Sequence, residues 1–293
     1  MQLQALPTLL KRSFSDWSDD NAPRLGAALA FYTILSISPL VILALAIVSL
    51  VFDRSSAQGH LLSQVQSTVG PEGRDAVQAM LASGQKASQG ILATAIGFIT
   101  LVFGASGVFG ELRGALNTIW DAEPKESSGV WGMLRERFFS IGMVFSVGFV
   151  LLVSLVVSAG LAAMTKFFSG LLPIPPIVLS GVNFLVSLAG ITLVFAMILK
   201  YVPETKVEWR DVRNGAFATA LLFVIGKSVL GLYLGKASPG SAYGAAGSLV
   251  VMVVWIYYSA QIFFFGAEFT HVYALSRRGP DRPEGDVLDD RSI

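Results

Sequence analysis

Long apolar stretches alternate with polar segments along this chain, and six of the stretches have the length that a bilayer-crossing helix needs. An α-helix rises 1.5 Å per residue, so about 20 apolar residues cross a hydrocarbon layer of about 30 Å. The pattern predicts an all-α fold, a polytopic membrane helix bundle with six transmembrane helices. In chain order the predicted spans are 26–52, 90–110, 138–164, 177–199, 214–234 and 243–274.

The polar segments divide the chain into three predicted parts. Residues 1–25 are predicted to form a cytoplasmic surface helix, residues 26–275 the transmembrane domain, and residues 276–293 a disordered cytoplasmic tail. Inside the transmembrane domain, residues 53–89 are polar with helical periodicity and are broken at Gly70 and Pro71. We expect this outer segment to form small amphipathic helices that rest on the bilayer surface.

Composition supports a lipid environment for the chain. Hydrophobic residues make up 53% of it and charged residues 14%, against about 25% charged residues in a typical soluble domain. A soluble protein of this size could not hide so much apolar surface. The net charge of +1 is too small to attract nucleic acid through the overall charge of the protein. The absence of cysteine excludes disulfides and thiolate chemistry.

The distribution of Lys and Arg predicts the orientation. Fifteen of these residues lie on one side of the predicted membrane and five on the other, with Lys227 inside a span. The richer side is expected to be cytoplasmic. An even number of crossings then places both termini of this multi-pass protein in the cytoplasm.

Lys227 is the one lysine inside a predicted span. It lies about 20 Å along the fifth span, where a lysine costs about 2.5–3.5 kcal/mol on insertion scales. One interpretation is that Lys227 faces protein, water or an anionic partner. The other is that its long side chain snorkels to the outer interface.

The sixth span carries a polar stripe, because Tyr257, Gln261, Glu268 and His271 fall within an arc of about 80° at 100° per residue. We expect this stripe to face the bundle interior, with Glu268 close enough to the cytoplasmic end to pair with an arginine. Two further substrate-path candidates follow the second span: Glu111 and Arg113. They are expected to be solvated at the interface or to pair across the bundle, with Glu268 as one candidate partner.

Small residues recur at helical spacing, and Pro39 lies in the middle of the first span. Ridges of small residues let helix backbones approach closely in lipid, either within one chain or in a dimer. Proline removes a backbone hydrogen bond and gives a flex point. Besides Pro39, the candidates for helix packing or flexing are Ser106, Gly110, Gly114, Gly231 and Gly235.

No enzyme site is predicted. The Glu268–His271 spacing matches half of a di-iron helix motif, but the second copy is missing and the chain has only two histidines. Phosphate-binding glycine loops and nucleophile elbows are absent as well. We therefore expect no catalytic residue, no metal site and no cofactor, and we expect membrane lipids and a second copy of the chain, but no nucleic acid, as partners.

Three segments resemble the YihY/BrkB family of bacterial inner-membrane proteins, which is also known under a ribonuclease BN label. Residues 27–51 read AALAFYTILSISPLVILALAIVSLV, and residues 104–121 read GASGVFGELRGALNTIWD. The third segment, residues 201–268, contains YVPETKVEWRDVRNGA and GLYLGKASPGSAYGAAGSLVVMVVWIYYSAQIFFFGAE. Residues that match the family pattern are Pro39, Arg113, Asn117, Trp120, Pro203, Trp209, Arg210, Gly215, Tyr243, Gly244, Gly247 and Glu268.

The resemblance implies six spans and an inner-membrane location. Members of this family have been linked to serum resistance and to export of lipid A precursors. Together with Lys227 and the polar stripe, this favours a transporter or flippase-like exporter of a lipid-linked or anionic amphipathic substrate. The alternative is a non-catalytic envelope scaffold that binds partners through its outer segment. Ribonuclease activity is the least favoured function, because the sequence offers no metal ligands and no acid/base pair for it.

Overall fold

A computed structural model describes residues 6–48, 53–87, 91–122, 176–237 and 247–278, and within these ranges the chain forms α-helices and no strand. The predicted third span, 138–164, and residues 279–293 of the predicted tail lie outside the described residues. The helices are α1 (Leu6–Asp19), α2 (Ala22–Val48), α3 (Arg54–Val69), α4 (Pro71–Ala87), α5 (Ile91–Ile119), α6 (Pro176–Tyr201), α7 (Trp209–Ala237) and α8 (Gly247–Arg278).

Three helices of the described region are long and apolar enough to cross a membrane. The qualifying segments are Phe184–Tyr201 in α6, Trp209–Tyr233 in α7 and Gly247–Arg277 in α8. They coincide with the predicted fourth, fifth and sixth spans, which confirms an all-helical protein with membrane-spanning character. Helices α2 and α5 occupy the positions of the first and second predicted spans. The full count of six crossings stays a prediction.

Helix α2 continues through Pro39 without a break. One turn earlier, the Ser36 hydroxyl donates hydrogen bonds to the carbonyls of Tyr32, at 2.9 Å, and Thr33, at 3.2 Å. Ser36 is buried and has little access to water. These bonds to its own helix therefore satisfy the hydrogen-bonding capacity of its hydroxyl group. The role of Pro39 as a flex point stays a prediction.

The outer segment forms a helical hairpin whose ends are set by local chemistry. Asp53 caps α3 by accepting a hydrogen bond from the backbone N–H of Ser56 at 3.0 Å. Gly70 separates the two helices with φ 102°, a left-handed conformation that glycine adopts readily, and Pro71 begins α4. The predicted break therefore lies where the sequence indicated it.

The hairpin packs against the long helices instead of lying apart from them. Its buried positions include Ala57, Leu62 and Val77, and they share one apolar cluster with Leu45 of α2 and Ile256 of α8. That the hairpin lies on the bilayer surface stays a prediction.

Helix α8 is the central element of the described region, since α1, α2, α4, α5 and α7 all pack against it. A second apolar cluster joins α8 to the ends of its neighbours. Its fully buried members include Leu116, Leu199, Val212, Phe264 and Ala267. The aromatic rings of Phe195 and Phe263 extend this packing from α6 to α8, with centroids 5.3 Å apart.

Helices α7 and α8 meet through two reciprocal pairs of glycine and threonine. A Cβ on Gly215 would lie less than 3.0 Å from Thr270, and a Cβ on Gly266 would lie less than 3.0 Å from Thr219. Each threonine hydroxyl donates to a glycine carbonyl four residues earlier on its own helix, at 2.8 Å for Thr219 and 2.7 Å for Thr270. The two backbones therefore approach closely, as small residues permit in membrane helices.

Candidate functional site

The buried carboxyl group of Glu268 is the centre of the candidate site. Glu268 lies on α8 and is 0% exposed, and neither carboxyl oxygen has a hydrogen-bond donor among the described residues. The carboxyl group of Asp20 lies within hydrogen-bonding reach of it, where the sequence suggested an arginine. An acidic pair of this kind is an unusual arrangement for a protein interior.

A tight turn between α1 and α2 brings Asp20 to α8. The backbone N–H of Asp20 donates to the carbonyl of Asp16 at 2.9 Å, and that of Asn21 donates to Ser18 at 3.1 Å. Asn21 takes a positive φ of 53°, which asparagine tolerates better than most residues. Helix α2 then starts at Ala22, so α1 folds back and packs along the last turns of α8.

The surroundings of Asp20 favour its protonated form. Burial raises the pKa of the Asp20 carboxyl above its ordinary value, and the negative charges of Asp121, Asp16 and Asp19 raise it further. A hydrogen bond donated by a protonated Glu268 would lower the pKa of Asp20. The site therefore concentrates carboxyl groups where ionised carboxylates repel one another.

Two tryptophans belong to the same part of the bundle. The ring of Trp120 packs against His271 with centroids 5.0 Å apart and an interplanar angle of 44°. The indole N–H groups of Trp17 and Trp120 are buried and have no acceptor among the described residues. Reasoning from the polar stripe missed both tryptophans. The family pattern includes Trp120, but Trp17 carries no signal other than its helical spacing.

The residues of the predicted stripe on α8 have different neighbours. The Gln261 amide donates to the carbonyl of Ala22 at 3.3 Å, and Gly26 gives it room by lacking a side chain. Tyr257 packs against the apolar cluster that α2, the α3–α4 hairpin and α8 share. The role of the stripe as a substrate path stays a prediction.

Arg113 forms an ion pair that the sequence did not identify. Its Nη2 lies 2.7 Å from Oε1 of Glu204 in the connection between α6 and α7. The Asn117 side-chain oxygen accepts a hydrogen bond from the backbone N–H of Glu204 at 2.9 Å. These contacts join the end of α5 to that connection. Glu111, next to Arg113, is partly buried.

Lys227 is remote from Glu268. It lies on α7 beside Gly226, which meets Tyr258 and Ile262 of α8, whereas Glu268 lies between Gly266 and Thr270, the α8 members of the two glycine–threonine pairs. At 1.5 Å per residue, this places the two residues on the order of 10–15 Å apart along the helices. Lys227 is partly buried and has no ion-pair partner in the described part of the chain. Its role as a substrate-path residue stays a prediction.

The predicted packing glycines differ in their surroundings. A Cβ added to Gly110, Gly114 or Gly231 would meet no atom within 4 Å among the described residues. The close contacts fall at other glycines, among them Gly104 against Ser36 and Gly107 against Tyr32. Packing through the three open glycines, and through Ser106 and Gly235, stays a prediction.

An open groove between α6 and α7 forms a second candidate site, which sequence reasoning missed. It has a volume of about 650 Å³. One end is basic, with Arg210 and Arg213, and both side chains are exposed. The remaining lining is apolar apart from one threonine: Leu185, Leu188, Ala189, Thr192, Leu193, Ala196, Trp209 and Phe217.

The connection that leads into the basic end is held in place by Lys200. Its ammonium group donates to the carbonyl of Val207 and lies 5.8 Å from the centre of the Trp209 ring. Tyr201 packs edge-on against the same ring with centroids 6.1 Å apart. Arg210 and Arg213 are left without carboxylate partners among the described residues.

Comparison with known proteins identifies relatives over nearly the whole chain. The model of the family described as Virulence factor BrkB matches residues 13–288. A UPF0761 membrane protein of Ralstonia nicotianae is 28% identical over 89% of this chain and 57% of its own length. Similar proteins of the same name occur in Pseudoalteromonas translucida, at 27% identity over 86% of this chain and 81% of its own length, and in Actinobacillus pleuropneumoniae, at 27% identity over 93% and 97%.

The first of these relatives is longer than the region it shares with this chain. The chain therefore spans 57% of the Ralstonia protein but nearly all of the Actinobacillus protein. No solved structure matches the chain.

Proposed function

Because the chain belongs to the virulence factor BrkB family of membrane proteins, we propose that it transports an anionic amphipathic molecule, such as a lipid-linked substrate, across the bacterial inner membrane. The observation that carries this proposal is the groove between α6 and α7. It joins an apolar wall to two exposed arginines without carboxylate partners in the described region. An apolar chain with an anionic headgroup has the matching chemistry.

The apolar part of the groove suits an acyl or isoprenoid chain. Leu185, Leu193 and Phe217 are exposed on α6 and α7, two helices long and apolar enough to cross a membrane. Lipid chains cover such surfaces without an energetic penalty, because both are apolar. The volume of about 650 Å³ lies in the range of sites for small organic ligands, about 300–1,000 Å³.

The basic end suits a phosphate or carboxylate. Arginine is always charged and binds such groups through two parallel hydrogen bonds. Arg210 and Arg213 are three residues apart in the first turns of α7 and therefore project from neighbouring positions on one face. Trp209, the first residue of α7, has the amphipathic ring that is enriched at membrane interfaces.

The proposal is tested by reconstituting the protein in vesicles and following movement of a fluorescent anionic lipid between leaflets. We expect Arg213→Gln to slow this movement at least several-fold, since one charged hydrogen bond to a ligand contributes about 1.5–3 kcal/mol. Lys206→Gln is the matched control. It removes one exposed positive charge from the α6–α7 connection without touching the groove.

Two results would contradict transport. Lipid movement could be the same in protein-containing and protein-free vesicles, or Lys206→Gln could reduce it as much as Arg213→Gln. The first result would favour the scaffold alternative. That alternative is supported by the α3–α4 hairpin, whose apolar side is used in packing while polar residues such as Arg74 and Gln78 are exposed. A partner recovered with the intact protein and lost on deletion of the hairpin would establish it.

A further inference from the structure

We propose that Glu268 and Asp20 bind one shared proton between their carboxyl groups, which makes the contact between α1 and α8 a protonation site. This inference does not depend on the groove or on the transported molecule. It rests on where the two carboxyl groups lie and on which hydrogen-bonding partners surround them.

The first argument is the hydrogen-bonding capacity of a carboxyl group. An ionised carboxylate only accepts hydrogen bonds, whereas a protonated one also donates. Glu268 is fully buried and neither of its oxygens meets a donor in the described residues, yet Asp20 lies within hydrogen-bonding reach. One proton between the two groups supplies the missing donor. It also avoids burying an unpaired charge, which is costly.

The second argument is the charge of the neighbours. Asp16 and Asp19 face the pair from α1, and Asp121 faces it from the turn after α5. His271 lies one turn further along α8. These carboxylates add negative potential and stabilise a bound proton, in agreement with the raised pKa of Asp20.

The other helices that pack against α8 present neutral groups near the pair. Helix α7 meets α8 through Gly215 and Thr219, and α2 meets it through the carbonyl of Ala22. In the described residues no three His, Asp or Glu side chains are arranged to hold a metal ion. The proton is therefore the cation that fits this site.

The most direct test is infrared spectroscopy of the full-length protein in lipid nanodiscs at about pH 7, well above the ordinary carboxyl pKa of about 4. We expect the C=O stretching band of a buried protonated carboxylic acid. Glu268→Gln and Asp20→Asn should each abolish this band, because either change leaves a single carboxyl group facing an amide. Asp75→Asn is the control, since Asp75 is an exposed carboxylate on α4, and it should leave the band unchanged.

The pH dependence of stability gives a second readout. A pair that holds a proton only in the folded protein loses stability as the pH rises through its folded-state titration. The thermal midpoint of the wild-type protein should therefore fall as the pH rises above the ordinary carboxyl pKa of about 4. In Glu268→Gln the amide donates to Asp20 at every pH, so this fall should be lost, whereas Asp75→Asn should retain it.

Three outcomes would overturn the proposal. The carboxylic-acid band could be absent from the wild-type protein, or it could persist in both Glu268→Gln and Asp20→Asn. Alternatively, sodium ions at constant pH could remove the loss of stability at high pH, which would assign the site to a metal cation. None of these measurements involves lipid movement, so the protonation site and the transport proposal can fail separately.

Discussion

Asp53 and Asp20 are both aspartates at a helix boundary, but their surroundings shift the pKa in opposite directions. The hydroxyl of Ser55 and the Ser56 side chain and N–H donate to Asp53, and they hold the pKa of its carboxyl well below the usual range. Burial raises the pKa of Asp20. The contacts that lower the pKa of Asp53 are local, whereas the contacts with Glu268 and Asp121 at Asp20 come from distant parts of the chain.

Asp53→Ala tests the role of Asp53 as the cap of α3. We expect faster hydrogen–deuterium exchange in the first turn of α3, because the N–H of Ser56 loses its acceptor. Because the folded pKa of Asp53 is depressed, its stabilising contribution is present above an ordinary aspartate pKa of about 3.9 and is lost as the pH falls below that value.

Asp53→Asn is the control for the cap, since its amide oxygen still accepts from Ser56. This variant should keep wild-type protection at neutral pH and lose the acid dependence. Equal exchange in Asp53→Ala and the wild-type protein would show that the cap does not stabilise the helix.

At the scale of the helix, the sequence predicted where the helices lie better than it predicted which residues of different helices come into contact. Apolar length and periodicity are local properties, so they predicted α2, α5, α6, α7 and α8 and the break at Gly70. The approach of Asp20 to Glu268 joins residues far apart in the chain, and the pairing of Arg113 with Glu204 does the same. Contacts of this kind depend on how helices cross, which periodicity does not encode.

The glycines illustrate the same limit. Spacing of four residues selected Gly110, Gly114 and Gly231, but the described structure places close contacts at other glycines, including Gly215 and Gly266. These two glycines face threonines on the partner helix instead of other small residues. A pattern confined to one helix cannot detect these contacts, because the glycine and the threonine that packs against it belong to different helices.

Gly215→Ala tests the contact between α7 and α8. The added methyl group would collide with Thr270, and overpacking of this kind costs about 1–3 kcal/mol. We expect a lower unfolding midpoint in detergent or lipid. Gly231→Ala on the same helix meets no neighbour within 4 Å in the described region and should leave the midpoint nearly unchanged. Equal midpoints for the two variants would contradict the close approach.

At the scale of the whole molecule, the orientation predicted from fifteen Lys and Arg against five can be tested with little background, because the chain contains no cysteine. Single cysteines at Gln78 in α4 and at Glu208 before α7 would both be exposed. We expect a membrane-impermeant maleimide to label Gln78→Cys in intact spheroplasts and Glu208→Cys only after permeabilisation. Labelling in the reverse order would invert the topology.

The reciprocal contacts of α7 and α8 also limit how the protein can move. Because α7 and α8 are in close contact at two places, we expect them to move as one unit. Opening would then occur at the contacts on either side of this helix pair. The basic groove lies where α7 meets α6, and the acidic pair lies where α8 meets α1. We therefore expect a movement that opens either site to displace α7 and α8 together.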